Sequence, residues 1–224
     1  MRQAYEQKKW GFVPDYARLD IIYKYGGIYL DTDVEIIKSL DDLLKNKLYM
    51  GFEKGGYVNP GLGFGAERGN EFLYTLMHDI YDLRQFVMKD GRLDLTPSPI
   101  LITRSLMDKG IEKNGKTQET EKIKIYAADR FCPEDHESGQ MIISKNTYSI
   151  HHYHASWVPD EEKKALEIKK KLLKKYGKER TEKIYKPVYL CYRLKMHFKE
   201  LGMIGTVRFM TDKIRGSIWR SREG

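Results

Sequence analysis

The chain has 224 residues, 41% of them apolar and 32% charged, which is enough to bury one sizeable core; one domain with a C-terminal appendage is expected. No run of about 18 apolar residues is present to span a bilayer, the opening MRQAYEQKKW has no apolar stretch of the secretory kind behind its charges, and Cys132 and Cys191 suggest neither a disulfide framework nor a thiolate zinc site. These features predict a cytoplasmic protein. The net charge of +8 is uneven: residues 160–224 carry 19 Lys+Arg against 9 Asp+Glu, a net of +10, which leaves the rest at −2.

Helical spacing runs from Arg2 to about Tyr25, with Tyr16, Leu19, Ile22 and Tyr23 three or four apart, Asp15 as N-cap after Pro14, and Gly26-Gly27 as the stop. IYLDTDVEII then reads as a strand interrupted by an acidic pair. A short helix near SLDDLLKN, a strand LYMGFE, the glycine-rich YVNPGLGFGAERGN and a helix from Glu71 to about Met88 follow. A second helix carries Pro99 in its first turn, and KIKIYAADRFCP and YSIHHYHASW supply two more strands. This alternation predicts an α/β domain with a mixed sheet. After VPDEEKK, a long basic helix keeps Ala165, Ile168, Leu172 and Tyr176 at helical spacing, and the remainder interleaves Lys and Arg with aromatic residues.

A strand that ends in Asp31 and Asp33, one residue apart, places two carboxylates where a cation would relieve their repulsion. Oxygen ligands of this kind suit Mn²⁺ or Mg²⁺. Acidic pairs are also common on solvated loops. Asp15 and Arg18, three apart on one helical face, read either as a cap with a surface ion pair or as part of the same site.

In this context FVPDYARLDIIYKYGGIYLDTDVEIIKSLDDLL resembles the signature of the DXD-containing sugar transferases of glycosyltransferase family 32, a group that includes bacterial capsule and lipopolysaccharide enzymes and yeast mannosyltransferases. The resemblance continues through NPGLGFGAERGN, SPILIT, FCP and HHYHASW, and so covers about residues 4–158. It implies a GT-A-like mixed sheet flanked by helices over 1–158, a basic helical extension over 159–224, and metal-dependent, retaining transfer from a UDP- or GDP-sugar to a saccharide or lipid-linked acceptor in surface polysaccharide assembly. By the same resemblance, Asp15 and Arg18 match nucleotide and donor-sugar contacts, Asp31 the first acid of the motif near the ribose and sugar, Asp33 the metal-binding acid, and Asn59 an asparagine beside the sugars. HHYHASW matches the segment that closes over the diphosphate, with Ser156 and Trp157 beside the donor and a histidine on the metal.

Three histidines at a strand end could complete the shell of a manganese ion. His152 and His154 share one strand face and His151 the other, so His152 and His154 are the expected ligands with His151 as the alternative; half-buried strand histidines with no metal role, and Trp157 as ordinary core, fit the same pattern. No nucleophile stands out, which favours front-side attack by the acceptor hydroxyl. The family differs in placing a small hydroxyl residue where Pro14 stands, and in having a strand and helix ahead of the motif, so a sheet without its N-terminal strand is expected. The rival reading is a non-catalytic, glycosyltransferase-like binding module. The basic tail reads as a solvated cap or as a segment peripheral to the inner face of an anionic membrane; no nucleic-acid motif accompanies its charge.

Overall fold

The computed structural model describes residues 1–82, 84–134, 141–153 and 160–220. Its elements in chain order are α1 (Arg2–Glu6), α2 (Val13–Tyr25), β1 (Gly27–Tyr29), β2 (Val34–Ile36), β3 (Leu48–Gly51), β4 (Phe64–Ala66), α3 (Glu71–Tyr81), α4 (Ser98–Met107), β5 (Gln118–Glu119), β6 (Lys124–Tyr126), β7 (Ser149–His151) and α5 (Asp160–Arg220), with short 3₁₀ turns between several of them. The chain divides into two compact units, one running to residue 157 and the other from residue 158.

The first unit is built on a five-stranded sheet of order β1-β4-β3-β6-β5 and a separate two-stranded ribbon of β2 and β7. Only β3 and β6 run parallel; the other pairs in the large sheet are antiparallel, so the sheet is mixed, as the alternating pattern predicts. β3 is buried at every residue because both faces of the sheet are covered. Leu48 and Met50 point into a core shared with Leu19 and Ile22 of α2, Leu73, Leu76 and Met77 of α3, and Ile102 and Leu106 of α4. Tyr49 points the other way, into a smaller cluster with Leu43, Leu62, Phe131 and Tyr148.

Several local boundaries differ from the sequence reading. The expected single helix over 2–25 is broken after α1, where Lys8 takes φ 55°, and a 3₁₀ turn at Trp10–Phe12 feeds directly into α2. Asp15 therefore lies inside the first helical turn and is buried, rather than capping it. Gly26 does end the helix: its φ of 71° suits glycine, and a Cβ there would lie 2.8 Å from the Arg68 amide nitrogen. The helix expected to reach Met88 ends at Tyr81.

The second unit is the helical segment α5, interrupted by non-helical backbone at Gly177 and Gly202. Glu161 pairs with Lys195 and Lys199 at 3.3 and 3.2 Å, and Lys169 with Glu182 at 3.1 Å. These pairs set the stretches before and after Gly177 side by side and antiparallel. Among the described residues, no helix is long and apolar enough to cross a membrane.

Candidate active site

The end of β1 and the start of β2 belong to different sheets, and the turn that joins them carries the acidic pair. The Val34 N–H donates to the Asp31 carbonyl at 3.1 Å, so the chain reverses between the two aspartates instead of continuing as one strand. Their carboxylates face the same space.

Asp31 is held by a hydroxyl and a guanidinium. The Tyr29 hydroxyl, two residues back along β1, donates to its Oδ1 at 2.7 Å. Nη1 of Arg18 lies 3.4 Å from the same oxygen, while Nη2 lies 3.4 Å from Oδ1 of Asp15. The Arg18 Nε donates to the Pro14 carbonyl at 3.2 Å, and the guanidinium sits 5.1 Å from the Tyr29 ring centroid. Asp15 and Arg18 each expose only 9% of their side chains, so this is a buried relay and not a surface pair. Breaking such a pair by removing one partner typically costs about 3–5 kcal/mol, because the survivor is left charged in a poor solvent.

Burial and charge push the two acids in opposite directions. Burial raises the Asp15 carboxyl to about 6, although the guanidinium groups of Arg18 and Arg84 oppose it. Burial acts upward on Asp31 as well, but contacts from His151, Arg18 and Tyr29 outweigh it and hold the carboxyl below its usual value. Asp31 therefore stays ionised. Burial, with Asp31 as hydrogen-bond acceptor, moves the Tyr29 hydroxyl up to about 12, which keeps it a donor.

The floor of the space is the turn after Asn59. The Asn59 side chain accepts from the Gly61 N–H at 2.8 Å and donates through Nδ2 to Glu53 at 2.9 Å, so both ends of the amide are fixed. Gly61 is pressed against the acids: a Cβ there would lie 2.5 Å from Oδ2 of Asp31 and 3.0 Å from Nη1 of Arg18. Burial pushes the Glu53 carboxyl upward, opposed by its hydrogen bond from Asn59.

β7 supplies the histidine, and its register decides which one. Val34 pairs with His151, Glu35 with Ile150 and Ile36 with Ser149, so His151 lies on the side that faces the turn. Its Nε2 lies 3.3 Å from Asp33 Oδ1 and 3.6 Å from Asp31 Oδ2. His152 projects to the other side and meets Glu35 at 2.9 Å. The expected pairing of His152 with the metal site is corrected accordingly: β7 ends at His151, and the register opposite β2 brings that residue to the acids. His154, Ser156 and Trp157 lie outside the described residues.

One ligand atom from each of Asp31, Asp33 and His151 falls within 4.8 Å of the others. Two carboxylates so placed fit a hard divalent cation. The ring of His151 has a further constraint, since its Nδ1 accepts the Tyr153 N–H at 3.1 Å; in that arrangement Nε2 carries the ring proton and donates toward the acids. Ligation of a cation through Nε2 would require that bond to be released. The ring therefore clamps the two carboxylates as they stand.

The sequence reading brought Asp15, Arg18, Asp31, Asp33 and Asn59 to attention, and the structure brings all five together with His151. It passed over Tyr29, Glu53 and Gly61. Tyr29 could have been found from strand parity, two residues before Asp31. Glu53 is a charged residue that closes an otherwise apolar run, and Gly61 sits in a loop whose glycines promised a close approach.

Residues 1–50 match the family described as the glycosyltransferase sugar-binding region containing the DXD motif, which bears out the resemblance read from the sequence. Among curated proteins, the chain is similar to lactosylceramide 4-alpha-galactosyltransferase of Mus musculus, 35% identical over 78 residues, covering 35% of this chain and 21% of that protein. It is also similar to inositol phosphoceramide mannosyltransferase 1 of Schizosaccharomyces pombe, 30% identical over 92 residues, covering 40% and 28%. The human lactosylceramide enzyme is 37% identical over 68 residues, covering 30% and 18%. The matches thus span less than a third of these relatives' lengths. No solved structure matches the chain.

Proposed function

We propose that this chain, which carries the DXD-containing sugar-binding region of the glycosyltransferases, is a metal-dependent, retaining hexosyltransferase that moves a sugar from a UDP- or GDP-sugar to a lipid-borne saccharide or lipid-linked acceptor. The observation that carries the reading is the convergence of Asp31, Asp33 and His151, with the buried Asp15–Arg18 pair locked onto Asp31. Asp31 and Asp33 would hold a Mn²⁺ or Mg²⁺ ion, which supplies Lewis-acid stabilisation of a departing nucleoside diphosphate. The chain's own residues do the rest. Arg18 and Tyr29 fix the Asp31 carboxylate so that nothing reorganises when charge develops nearby, and Asn59, pinned by Glu53 and Gly61, presents a rigid wall to the sugar.

Asp31 is held by Tyr29 and Arg18 and Asp33 lies against His151, so neither carboxylate stands free to attack the anomeric carbon, which supports attack by the acceptor hydroxyl on the face from which the diphosphate leaves. The names of the relatives, lactosylceramide and inositol phosphoceramide transferases, support an acceptor carried on a lipid; assembly of surface polysaccharide on a lipid-linked sugar is one such setting.

The test is to measure thermal stabilisation by a panel of UDP- and GDP-sugars with and without Mn²⁺, followed by hydrolysis of the stabilising donor without acceptor. A rise in Tm that requires both metal and nucleotide, with slow release of free sugar, is expected. No stabilisation by any nucleotide-sugar in the presence of metal would favour a non-catalytic binding module and overturn the assignment.

A further inference from the structure

The stretch of α5 that follows Gly177 has one face turned toward the stretch before it, where Thr181 and Tyr185 are buried. It also has an apolar face that is largely exposed among the described residues of its own unit. Ile184, Pro187, Leu190, Cys191, Leu194 and Phe198 fall within an arc of about 120° at about 3.6 residues per turn. Leu190 and Phe198 each expose 56% of their surface and Ile184 exposes 42%, far more than isolated surface residues need.

The charges around this face are mostly positive. Arg180, Lys183, Lys186, Lys195 and Lys199 are exposed along it. Glu182 sits off the arc, turned to Lys169, and Glu179, about 20° outside it, pairs with Lys183 at 3.1 Å, so the positive charges outnumber the negative there. Lys195 and Lys199 share the single carboxylate of Glu161, which leaves the pair with net positive charge.

We propose that this face is a docking surface for an anionic lipid bilayer, lying in the interface with its apolar residues among the acyl chains and its lysines at the headgroups. The charge pattern selects this occupant. A second copy of the same face would bring cation against cation, and a nucleic acid would leave Leu190 and Phe198 in water. The surface would hold the protein where a lipid-borne acceptor lies, but its recognition chemistry does not depend on the transferase reading, and its test reads no catalysis.

The chain supplies its own reporter, because Cys191 lies on the face and is exposed while Cys132 is buried. A polarity-sensitive fluorophore on Cys191 should shift to the blue with vesicles of phosphatidylcholine and phosphatidylglycerol, not with phosphatidylcholine alone, and co-sedimentation of the unlabelled chain should follow the same pattern and weaken at about 0.5 M salt. Lys183→Glu/Lys186→Glu should lower partitioning onto anionic vesicles about tenfold or more, and Leu190→Glu/Phe198→Glu should abolish the blue shift in the labelled chain. All four positions are exposed, so unchanged circular dichroism is expected. Lys171→Glu/Lys174→Glu makes the same change of net charge on the neighbouring stretch, where both residues are also exposed. Equal loss of binding in that control would show diffuse charge attraction without a docking face and overturn the proposal. So would an intact chain that ignores anionic vesicles while Leu190→Glu/Phe198→Glu lowers its mass in light scattering, a result that assigns the face to a second copy.

Discussion

Replacing Gly61 by alanine tests the site with one methyl group. The φ of Gly61 is not in the left-handed region, so alanine adds no backbone strain there. Its Cβ would lie 2.5 Å from Oδ2 of Asp31, against about 3.2 Å for an ordinary carbon–oxygen contact, so something must move by about 0.7 Å. Asp31 is tied to Tyr29 at 2.7 Å and to Arg18 at 3.4 Å, and the turn is tied through Asn59 to Glu53 at 2.9 Å, so neither side gives freely. Overpacking of this kind costs about 1–3 kcal/mol, a fall in Tm of about 3–10 °C for a chain of this size. A displacement approaching 1 Å in a positioned carboxylate should slow transfer about 100-fold. The assays are a thermal melt and metal-dependent donor hydrolysis, with Gly69→Ala as control, because Gly69 has φ of 72° but no atom near its Cβ position. Gly69→Ala should lose some stability and keep its rate. Ordinary turnover in Gly61→Ala would refute the claim that Asp31 is held in place against this turn.

Asp33→Asn should lose Mn²⁺-dependent stabilisation by nucleotide-sugar and all measurable transfer, while its metal-free Tm stays level or rises because a like charge beside Asp31 is gone; retained turnover would remove Asp33 from the metal site. Asp15, raised from 3.8 to about 6, binds its proton more tightly in the folded chain, so its contribution to stability is present below about pH 4 and is lost as pH rises through about 6, by about 3 kcal/mol in all. Urea melts across that window should show this slope in the parent chain and a flatter one in Asp15→Asn, and equal slopes would place the titration elsewhere. His152→Ala and Glu35→Gln should change transfer by less than about threefold, since their pair is half-exposed and turned away from the acids; a loss like that of Asp33→Asn would return His152 to the site.

How much of this could be read beforehand depended on whether a residue's environment was local. The glycine stop after α2, the strand at LYMGFE and the acidic pair all follow from near neighbours in sequence, and all are present. Asp15 was misplaced because helix caps are judged from sequence alone, whereas the 3₁₀ turn at Trp10–Phe12 started the helix early and rotated Asp15 inward. The choice among the histidines was harder still, since it rests on where β7 stops and on its pairing with β2, and a shift of one residue exchanges the faces. The Gly177 break in the long basic helix was visible only as a single glycine within a helical pattern, and it is what lets Glu161 reach Lys195 and Lys199.

The pairing of β2 with β7 also has a consequence for how the site comes into being. Glu35 and His152, partners across that ribbon, stand 117 positions apart. Both aspartates lie within the first 50 residues, yet the imidazole that clamps them arrives only when the far end of the unit folds back. Closing so long a loop is slow and entropically costly, and it comes after local helices have formed. A nascent or truncated chain that ends before residue 149 would therefore display the motif without the whole centre: two carboxylates close together, Asp31 held by Arg18 and Tyr29, with no imidazole opposite them. The assembled cluster of Asp31, Asp33 and His151 should consequently report on completed folding of the first unit, appearing cooperatively with it and coming apart at the first sub-global opening that peels β7 away.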